Sequence, residues 1–397
     1  MTHTDYAYTG IFSHDRQRIP AMTTAYPSMV YVLDHHSDAD QLEWLLQSLP
    51  SLCRTYRVCV VTPDADIPRA LHDIGQQFPE VEIIGLDIPV HASWLLRIRT
   101  LAALFRELHV THAHVVAHTC TAQRATLMAL KIARIPRIIM VIGIVDDIET
   151  PTLRHRLHAF ILQIPHQLVV ATARAKQVLM HGYGLNEAHI AVIPVGIDAQ
   201  RYWLSRVTPH TRDTYQIPSI GHLIGMYAPL TYDYGADILI RALTTIWQFY
   251  PDTQVVIAGD GPQAPQLHAL AIQSLQPSHI HFVSTVDDLA AFFACVDIVV
   301  FPARRCTMHT ALLLAMALER PVIGSAIPNI QDVIEANGSG LLTRPNDAEA
   351  LASTIMRLMS DHALRISIAF NARTRVSQRF RKDAWLAALL HCYQRLY

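Results

Sequence analysis

Short apolar runs of strand length alternate along the chain with segments whose apolar residues recur every three or four positions. This alternation is typical of βαβ units, in which helices connect the strands of a parallel sheet. In the first half, the pattern predicts strands over residues 29–33, 56–62, 81–86, 112–117, 138–142, 168–171 and 190–193. It predicts helices between them, most clearly over residues 41–49, 94–108, 121–133 and 153–162.

The alternation stops at a polar stretch over residues 205–219, which we interpret as a linker, and then restarts. The second half predicts strands over residues 223–227, 254–258, 280–283, 297–301, 322–324 and 340–342. It predicts helices over residues 236–249, 264–274, 286–294, 310–318, 348–359 and 384–396. The sequence therefore predicts an α/β protein with two Rossmann-like domains, whose parallel sheets face each other across a cleft where ligands of such sheets bind.

The composition supports a large buried core. Of the 397 residues, 51% are hydrophobic and only 16% are charged, and the mean hydropathy is +0.21. These values exclude a disordered chain. No apolar run approaches the length of about 18 residues that a membrane-spanning helix needs. Residues 1–27 contain no apolar segment of a signal peptide, so we expect a cytoplasmic protein.

Charge and metal-ligating residue types exclude further classes of function. The net charge is −1 and the isoelectric point is about 7.1, which gives no sign of nucleic-acid binding. The 6 cysteines are scattered without a CxxC pair, which excludes a disulfide framework and a zinc site of the usual spacing. The 23 histidines form no HExxH motif, so we expect no metal.

Residues 192–198 read VIPVGID, residues 256–262 read VIAGDGP, and residues 297–347 contain the short motifs FP, AMA, RPV and GLL. These three segments resemble glycosyltransferase family 4, whose members have the GT-B fold. The GDGP turn also has a purely structural interpretation, because glycine there supplies the backbone geometry between a strand and a helix. The resemblance covers most of the chain from about Met29 and is stronger in the second half.

The resemblance implies a division into two domains. The first, on the acceptor side, spans residues 1–205 and is joined by the C-terminal helix over residues 380–397. The second, on the nucleotide-sugar side, spans residues 206–379. The five apolar residues Trp385, Leu386, Leu389, Leu390 and Tyr393 recur at helical spacing and predict the apolar face by which that helix docks.

The chemistry implied by the resemblance is retaining sugar transfer from a nucleotide-diphosphate sugar, without a metal and without a further cofactor. In the family, the pyrophosphate is held by a helix N-terminus, an arginine and a lysine, while two glutamates contact the sugar and the ribose. A diphosphate leaving group without a metal needs such cations and backbone N–H groups to balance its charge.

This sequence departs from the family's pattern at the charged positions. The family's Gly-Arg reads Gly225-Met226 here, and its lysine reads Tyr234, so both phosphate-binding cations are missing. The first glutamate reads Cys306 and the second reads Leu314. These replacements predict that the donor site is eroded.

The first domain departs in the same way. The family's glycine-rich loop after the first strand carries His35 here, and the histidine that faces the donor is replaced by Ile142, just before Gly143. The family reads the nucleotide base largely through backbone groups, which lie near Val283 in this sequence.

Two arginines precede the helix that should point at the pyrophosphate. Either Arg304 and Arg305 replace part of the lost charge, because arginine matches phosphate geometry, or they point to solvent. Thr307 or Thr310 is the expected N-cap of that helix. His309 replaces a glycine and is expected to obstruct the donor.

Two further motifs have both a functional and a structural interpretation. Cys306 and His309 could form a nucleophilic pair, but their spacing favours a small buried cysteine. Residues 94–101 combine apolar side chains with Arg97 and Arg99, which fits either a helix at a membrane surface or a core-facing helix with a solvated basic side.

Three functions fit these observations. The first is a non-catalytic family member, a pseudoenzyme that acts as a partner or regulatory subunit in glycan assembly, with a transferase partner or as a homo-oligomer. The second is an active glycosyltransferase with a rebuilt donor site and a glycan, lipid or protein acceptor. The third is a GT-B sugar-nucleotide epimerase, which ranks last because the matched donor-site positions supply no acid/base carboxylate other than Asp233. Any membrane contact is expected to be peripheral.

Overall fold

The computed structural model describes residues 26–33, 39–62, 69–86, 88, 92–145, 153–210, 212–305 and 310–395. The chain divides into two compact units, one comprising the chain up to Ile193 together with the segment from Ala388, the other running from Pro194 to Ala387. The expected domain limits of residues 205 and 380 lie within the second of these units.

The first unit contains a seven-stranded parallel sheet in the order β3-β2-β1-β4-β5-β6-β7. Its strands are β1 (Ser28–Val32), β2 (Arg57–Thr62), β3 (Glu82–Gly85), β4 (His112–Thr119), β5 (Arg137–Ile144), β6 (Gln167–Val170) and β7 (Ile190–Val192). Its helices are α1 (Ala39–Leu52), α2 (Arg69–Gln77), α3 (Trp94–Glu107), α4 (Arg124–Ile132), α5 (Leu153–Leu162) and α6 (Ala173–Tyr183).

The second unit contains a six-stranded parallel sheet in the order β10-β9-β8-β11-β12-β13. Its strands are β8 (Leu223–Tyr227), β9 (Gln254–Ala258), β10 (Ile280–Val283), β11 (Ile298–Phe301), β12 (Val322–Ser325) and β13 (Leu341–Thr343). Its helices are α7 (Ala236–Phe249), α8 (Ala264–Ile272), α9 (Leu289–Cys295), α10 (Thr310–Ala317), α11 (Pro328–Val333), α12 (Ala348–Ser360) and α13 (His362–Arg379). The last helix, α14 (Lys382–Gln394), begins in the second unit and ends in the first.

The strands read as nearly continuous apolar runs because the sheets are buried on both faces. Every residue of β9 and β11 is buried, as are all residues of β1 and β2 except the first of each. Parallel sheets covered by crossover helices on both sides have this pattern. The prediction of two α/β domains with parallel sheets is therefore confirmed.

The sequence pattern predicts helices at the places of α2 and α6 without giving their bounds, and it does not predict α11 and α13. The clearest case is α13, whose buried residues include the two alanines Ala369 and Ala372 beside Ile368 and Val376. Alanine packs closely but contributes little to an apolar periodicity, so the buried face of α13 is hard to see in the sequence.

The interpretation of residues 205–219 as a linker is wrong in one respect, because the described part of this stretch packs onto the second unit. Arg212 donates to a carboxylate oxygen of Asp297 at 3.1 Å and to the carbonyls of Pro218, Ile220 and Gly221. Ile217 is buried. The polar residues of this stretch form hydrogen bonds within the second unit, so their composition does not indicate an open connection.

In each sheet, the direction in which successive strands are added reverses at one point. In the first unit the connections diverge between β1 and β4, and in the second they diverge between β8 and β11. The loops that follow two such strands turn away from each other, which leaves a crevice at the carboxyl ends of the strands. These two crevices are where the fold positions its candidate sites.

A buried aromatic cluster connects the sheet of the first unit to the end of α14. The ring of Tyr31 on β1 stacks on His114 of β4, with centroids 4.2 Å apart and planes 9° apart. The hydroxyl of Tyr393 forms a hydrogen bond with Nδ1 of His114. Tyr56 packs edge-on against Tyr393 at 6.2 Å. The C-terminal helix thus completes this core. Burial in the core lowers the pKa of His114 to about 3.

Acid is expected to destabilise the protein through His114. This ring is neutral when folded, whereas an unfolded histidine takes up a proton near pH 6.5. The unfolded state therefore binds more protons below that pH. This lowers the free energy of unfolding by about 2 kcal/mol at pH 5 relative to pH 7. We expect the double variant His114→Phe, Tyr393→Phe to lose less melting temperature than the wild type when the pH falls from 7 to 5.

The variant Leu389→Ala is the matched control, because it removes a buried side chain of the same helix without removing a titratable group. It should lower the melting temperature at both pH values and leave the pH-dependent difference unchanged. If the double variant loses as much melting temperature between pH 7 and pH 5 as the wild type does, the acid sensitivity does not come from His114.

Candidate functional site

The crevice between β8 and β11 in the second unit brings the expected site residues Arg304 and Arg305 to the loop that contains Tyr234. The loop after β8 contains a short 3-10 turn over Tyr232–Tyr234, and Gly235 follows it at the start of α7. The loop after β11 brings Arg304 and Arg305 to the same place, where both backbone N–H groups donate to the carbonyl of Asp233. The two loops are therefore joined across the crevice.

The Arg304 side chain is held by several groups. Its Nη1 and Nη2 atoms donate to the two carboxylate oxygens of Asp237, each at 2.8 Å. Its Nη1 also donates to the carbonyl of Tyr232 at 2.8 Å, and its Nε donates to the side chain of Asn346. Its guanidinium carbon lies 3.9 Å from the centre of the Tyr232 ring. These four bonds satisfy most of the five N–H groups of a guanidinium.

The charges of this pair cancel within the protein. Burial by itself raises the pKa of the Asp237 carboxyl, but the hydrogen bonds and charge of Arg304 outweigh it and hold that pKa below its ordinary value. The hydrogen bond from Asp237 in turn raises the pKa of Arg304. Arg304 therefore does not point to solvent, which was one of the two expectations, and its charge is already balanced. Arg305 is exposed.

The GDGP turn has the structural role that the sequence allowed for it. Gly259 has a φ of +133°, and a Cβ atom there would lie 2.0 Å from the carbonyl oxygen of Ala228. The N–H of Leu230 donates to the carbonyl of Asp260, and the N–H of Gln263 donates back to Leu230. The turn thus fixes the loop after β8 at close range.

Gly235 meets a similar constraint on the other side of the crevice. Its φ is +71°, and a Cβ atom there would lie 2.1 Å from the carbonyl oxygen of Pro302. Only glycine lets the start of α7 approach the loop after β11 this closely.

Two of the expected donor-site positions face the core instead of the crevice. Met226 lies within β8, is 1% exposed and packs in the core of the second unit. Gly225 adjoins Val296, whose methyl carbons would lie 2.7 Å from an added Cβ. The strand continues past Met226 to Tyr227, so this position lies inside the sheet, and its match to the family's phosphate-binding arginine stays a prediction.

The loop that follows β8 contains no cationic side chain. Residues 228–235, which follow the strand and reach the crevice, read APLTYDYG and include no lysine or arginine. Tyr234 is partly buried and packs against the core of the second unit.

Three other expected positions lie near the same edge of the sheet. Leu314 is buried within α10, 6% exposed, so it serves the core. Thr310 is the first residue of α10 and is also buried. Val283 ends β10, and its carbonyl accepts a hydrogen bond from the N–H of Gly259 at 2.8 Å.

Of the site positions expected in the first domain, Ile142 and Gly143 lie among the described residues and His35 does not. Ile142 is 1% exposed and packs in the core of the first unit, since β5 continues to Ile144. The neighbouring Gly143 is partly exposed, and the match of Ile142 to the family's donor-facing histidine stays a prediction. Three expected site residues lie outside the described residues: His35, Cys306 and His309. For these the sequence-based expectations stay predictions.

The sequence analysis missed Asp237, Tyr232 and Asn346. Asp237 lies in the first turn of α7, where a carboxylate is favourable at a helix N-terminus, and this local role hides its long-range one. Its partner Arg304 is 67 residues away in the chain, and Asn346 is 42 residues beyond Arg304. No local motif connects these positions.

The described residues contain no cluster of three or more His, Cys, Asp or Glu side chains that could hold a metal ion. The five described cysteines are all free. Within the same part of the chain, no helix is both long enough and apolar enough to span a membrane.

Removing the carboxylate of Asp237 should destabilise the second unit. In Asp237→Asn, the guanidinium of Arg304 would stay partly buried without its counter-charge, at a cost of about 1.5–3 kcal/mol. Urea unfolding measures this cost. The double variant Asp237→Asn, Arg304→Ala should cost less than the sum of the two single variants, because the pair is lost only once.

The control is Arg357→Ala, which changes an exposed arginine of α12 and should alter the stability by no more than about 0.5 kcal/mol. Strictly additive single and double variants would show that Arg304 and Asp237 are not energetically coupled.

Two family models match this chain. The model described as Glycosyltransferase Family 4 matches residues 45–201, and the model described as Glycosyl transferases group 1 matches residues 221–361. The first match covers the first unit from residue 45 and extends into the second unit as far as residue 201, and the second match lies within the second unit.

Curated relatives match about half of this chain at low sequence identity. A D-inositol 3-phosphate glycosyltransferase of Corynebacterium urealyticum is 27% identical over 213 residues, which are 51% of this chain and 50% of that protein. A glycogen synthase of Mycobacterium tuberculosis is 25% identical over 228 residues, which are 57% of this chain and 53% of that protein. The chain thus spans about half the length of these relatives.

Solved structures match over nearly the whole chain. A glycosyltransferase from Rickettsia africae superposes with a TM-score of 0.77 at 18% identity, covering 94% of this chain and 99% of that one. Anabaena HepE, in complex with UDP and glucose, superposes with a TM-score of 0.76 at 18% identity, covering 93% and 100%. The chain therefore carries a glycosyltransferase family 4 domain followed by a glycosyl transferases group 1 domain, and it has the GT-B fold of two Rossmann-like domains.

Proposed function

We propose that this chain is a non-catalytic member of its family that acts as a partner or regulatory subunit in glycan assembly. One observation carries the proposal: the Arg304 guanidinium, at the place where a diphosphate would need a cation, is already bound by the carboxylate of Asp237. The loop over residues 228–235 adds no lysine or arginine to compensate.

The physical argument is one of charge. Departure of a nucleoside diphosphate without a metal develops negative charge that preorganised donors and cations have to stabilise. Loss of one such donor typically costs a factor of about 10²–10³ in rate, which corresponds to about 3–4 kcal/mol. A cation that is paired within the protein would first have to give up its carboxylate partner, and this cost is subtracted from any gain on binding the donor.

A second candidate function is sugar transfer at a rebuilt donor site. Arg305 is exposed beside the crevice, and the N-terminus of α10 follows a few residues later. Together they could form a rebuilt donor site, and the relatives' names describe transferases. In this alternative the chain is a retaining glycosyltransferase that takes a nucleotide-diphosphate sugar without a metal. Its acceptor would be a glycan, a lipid or a protein.

The proposed setting is the cytoplasm, with at most peripheral contact with a membrane. The expected partner is a transferase or a second copy of this chain. Co-purification from the native host, followed by mass spectrometry, tests the partner directly: a co-purifying glycosyltransferase would support the proposal.

The proposal predicts that ordinary donors neither bind nor turn over. A ligand at a hundred times its dissociation constant adds about 2.7 kcal/mol to the free energy of unfolding, which a melting curve detects easily. We expect no shift in melting temperature, no sugar transfer and no donor hydrolysis across uridine, guanosine and adenosine diphosphate sugars.

Two variants separate the proposed function from its alternative. If the wild type turns over a donor and the double variant Arg304→Ala, Arg305→Ala does not, the site has been rebuilt and the chain is an enzyme. The matched control Arg357→Ala removes an exposed arginine of α12 in the same unit and should leave any turnover unchanged.

A further inference from the structure

The amino ends of three adjacent strands in the second unit carry exposed apolar side chains. Ile220 precedes β8, Phe249 ends α7 before β9, and both Ile272 and Leu275 precede β10. These four residues are 57%, 68%, 72% and 64% exposed, in that order. Single exposed apolar residues are ordinary, but a group of them at one end of a sheet is typical of an interaction surface. This end of the sheet is opposite to the crevice beside Arg304.

The apolar residues belong to one surface, because contacts hold the segments that carry them side by side. This strand-start surface consists of residues 216–222, 248–252 and 272–279. The ring of His222 in the first segment packs edge-on against Tyr250 of the second, with centroids 6.4 Å apart. The ring of Trp247, in the last turn of α7, packs edge-on against His279 of the third segment at 6.1 Å. The surface is therefore built on rigid contacts to the sheet and its helices.

The strand-start surface is almost without charge. Its three segments contain no lysine, arginine or glutamate, and Asp252 is their one charged residue when histidine is counted as neutral. Arg212 donates to the carbonyl of Ile220 from one side, but it is paired with Asp297. Exposed positions normally hold most of the charged residues of a protein. Depletion of charge around exposed aromatic and aliphatic side chains is typical of the centre of a protein–protein interface.

The area of the surface fits a second copy of this chain. Exposed aliphatic and aromatic side chains of this size offer roughly 100 Å² of apolar surface each, so the four together offer about 400 Å². A stable interface buries about 800 Å² per partner, of which about 65% is apolar in homodimers. The four side chains thus supply most of the apolar area that a stable dimer needs.

The lack of charge also fits contact between two copies. In a two-fold dimer the same patch of each copy faces the other, so a charge on the patch is placed near a like charge. Like charges that face each other across an interface weaken it. A nearly uncharged patch avoids this repulsion, whereas recognition of a charged partner would need complementary charges on it.

We propose that the strand-start surface joins two copies of this chain in a two-fold symmetric dimer. The apolar side chains of one copy pack against those of the other. The crevice beside Arg304 lies at the other ends of the strands, so this contact does not cover it. The inference goes beyond the proposed function, because such a dimer forms whether or not the chain transfers sugar.

Sedimentation equilibrium of the full-length protein measures the association. We expect the apparent mass to rise from the chain mass of 44.5 kDa towards twice that value as the protein concentration rises from nanomolar to micromolar. An apparent mass that stays at 44.5 kDa over this range would overturn the proposal.

Variants locate the contact on the strand-start surface. The double variant Phe249→Glu, Leu275→Glu replaces two exposed apolar side chains by carboxylates in both copies and should weaken the association at least tenfold. The matched control Phe370→Glu makes the same change at a phenylalanine of α13 that is 64% exposed and lies outside the surface, and it should leave the association unchanged. A dimer that withstands the double variant, or that Phe370→Glu weakens equally, would contradict the proposal.

A second pair of substitutions keeps the test valid if the double variant does not fold. Gln248→Glu and Gln273→Glu keep the size of two exposed side chains of the surface and add a charge to each. We expect these substitutions together to weaken the association at least tenfold at low salt. The association should recover in 1 M sodium chloride, where the screening length falls to about 3 Å. Unchanged association at low salt would overturn the proposal.

Discussion

Burial of both sheets on both faces is the constraint on which the rest of this molecule depends. Strands such as β9 and β11 have no exposed side chain, so they contribute stability and leave no surface for chemistry. Parallel strands need a crossover connection each, and the connections have to diverge once in each sheet. All candidate chemistry is thereby confined to the loops at the carboxyl ends of the strands, and above all to the two places where those connections diverge.

Arginine side chains lie beside both crevices, with different partners. In the second unit, Arg304 is bound by Asp237, Tyr232 and Asn346, so its charge stabilises the protein itself. In the first unit, the Nη1 atom of Arg124 lies 3.2 Å from Nε2 of His158. An arginine count along the sequence cannot separate these cases, because the difference lies in the partner of each guanidinium.

The sequence predicted the fold more successfully than the site, and the reason is the same double burial. A continuous apolar run such as residues 223–227 identifies a buried strand and even its bounds. The same run has no alternation, so it does not show that the Met226 side chain lies in the core. The pairing of Arg304 with Asp237 was beyond prediction, since it joins loops that only the order of the strands brings together.

The contact between His114 and Tyr393 has a consequence for synthesis on the ribosome. Domains usually fold as units while the chain emerges, at about 5–20 residues per second. Here the first unit needs Tyr393 to close its core over His114 and Tyr31, and that residue emerges only after the whole second unit has been made. The nascent first unit therefore passes about 10–40 seconds with an incomplete aromatic core. During that interval the second unit can complete its own sheet, so the unit that is translated first is the one that finishes folding last.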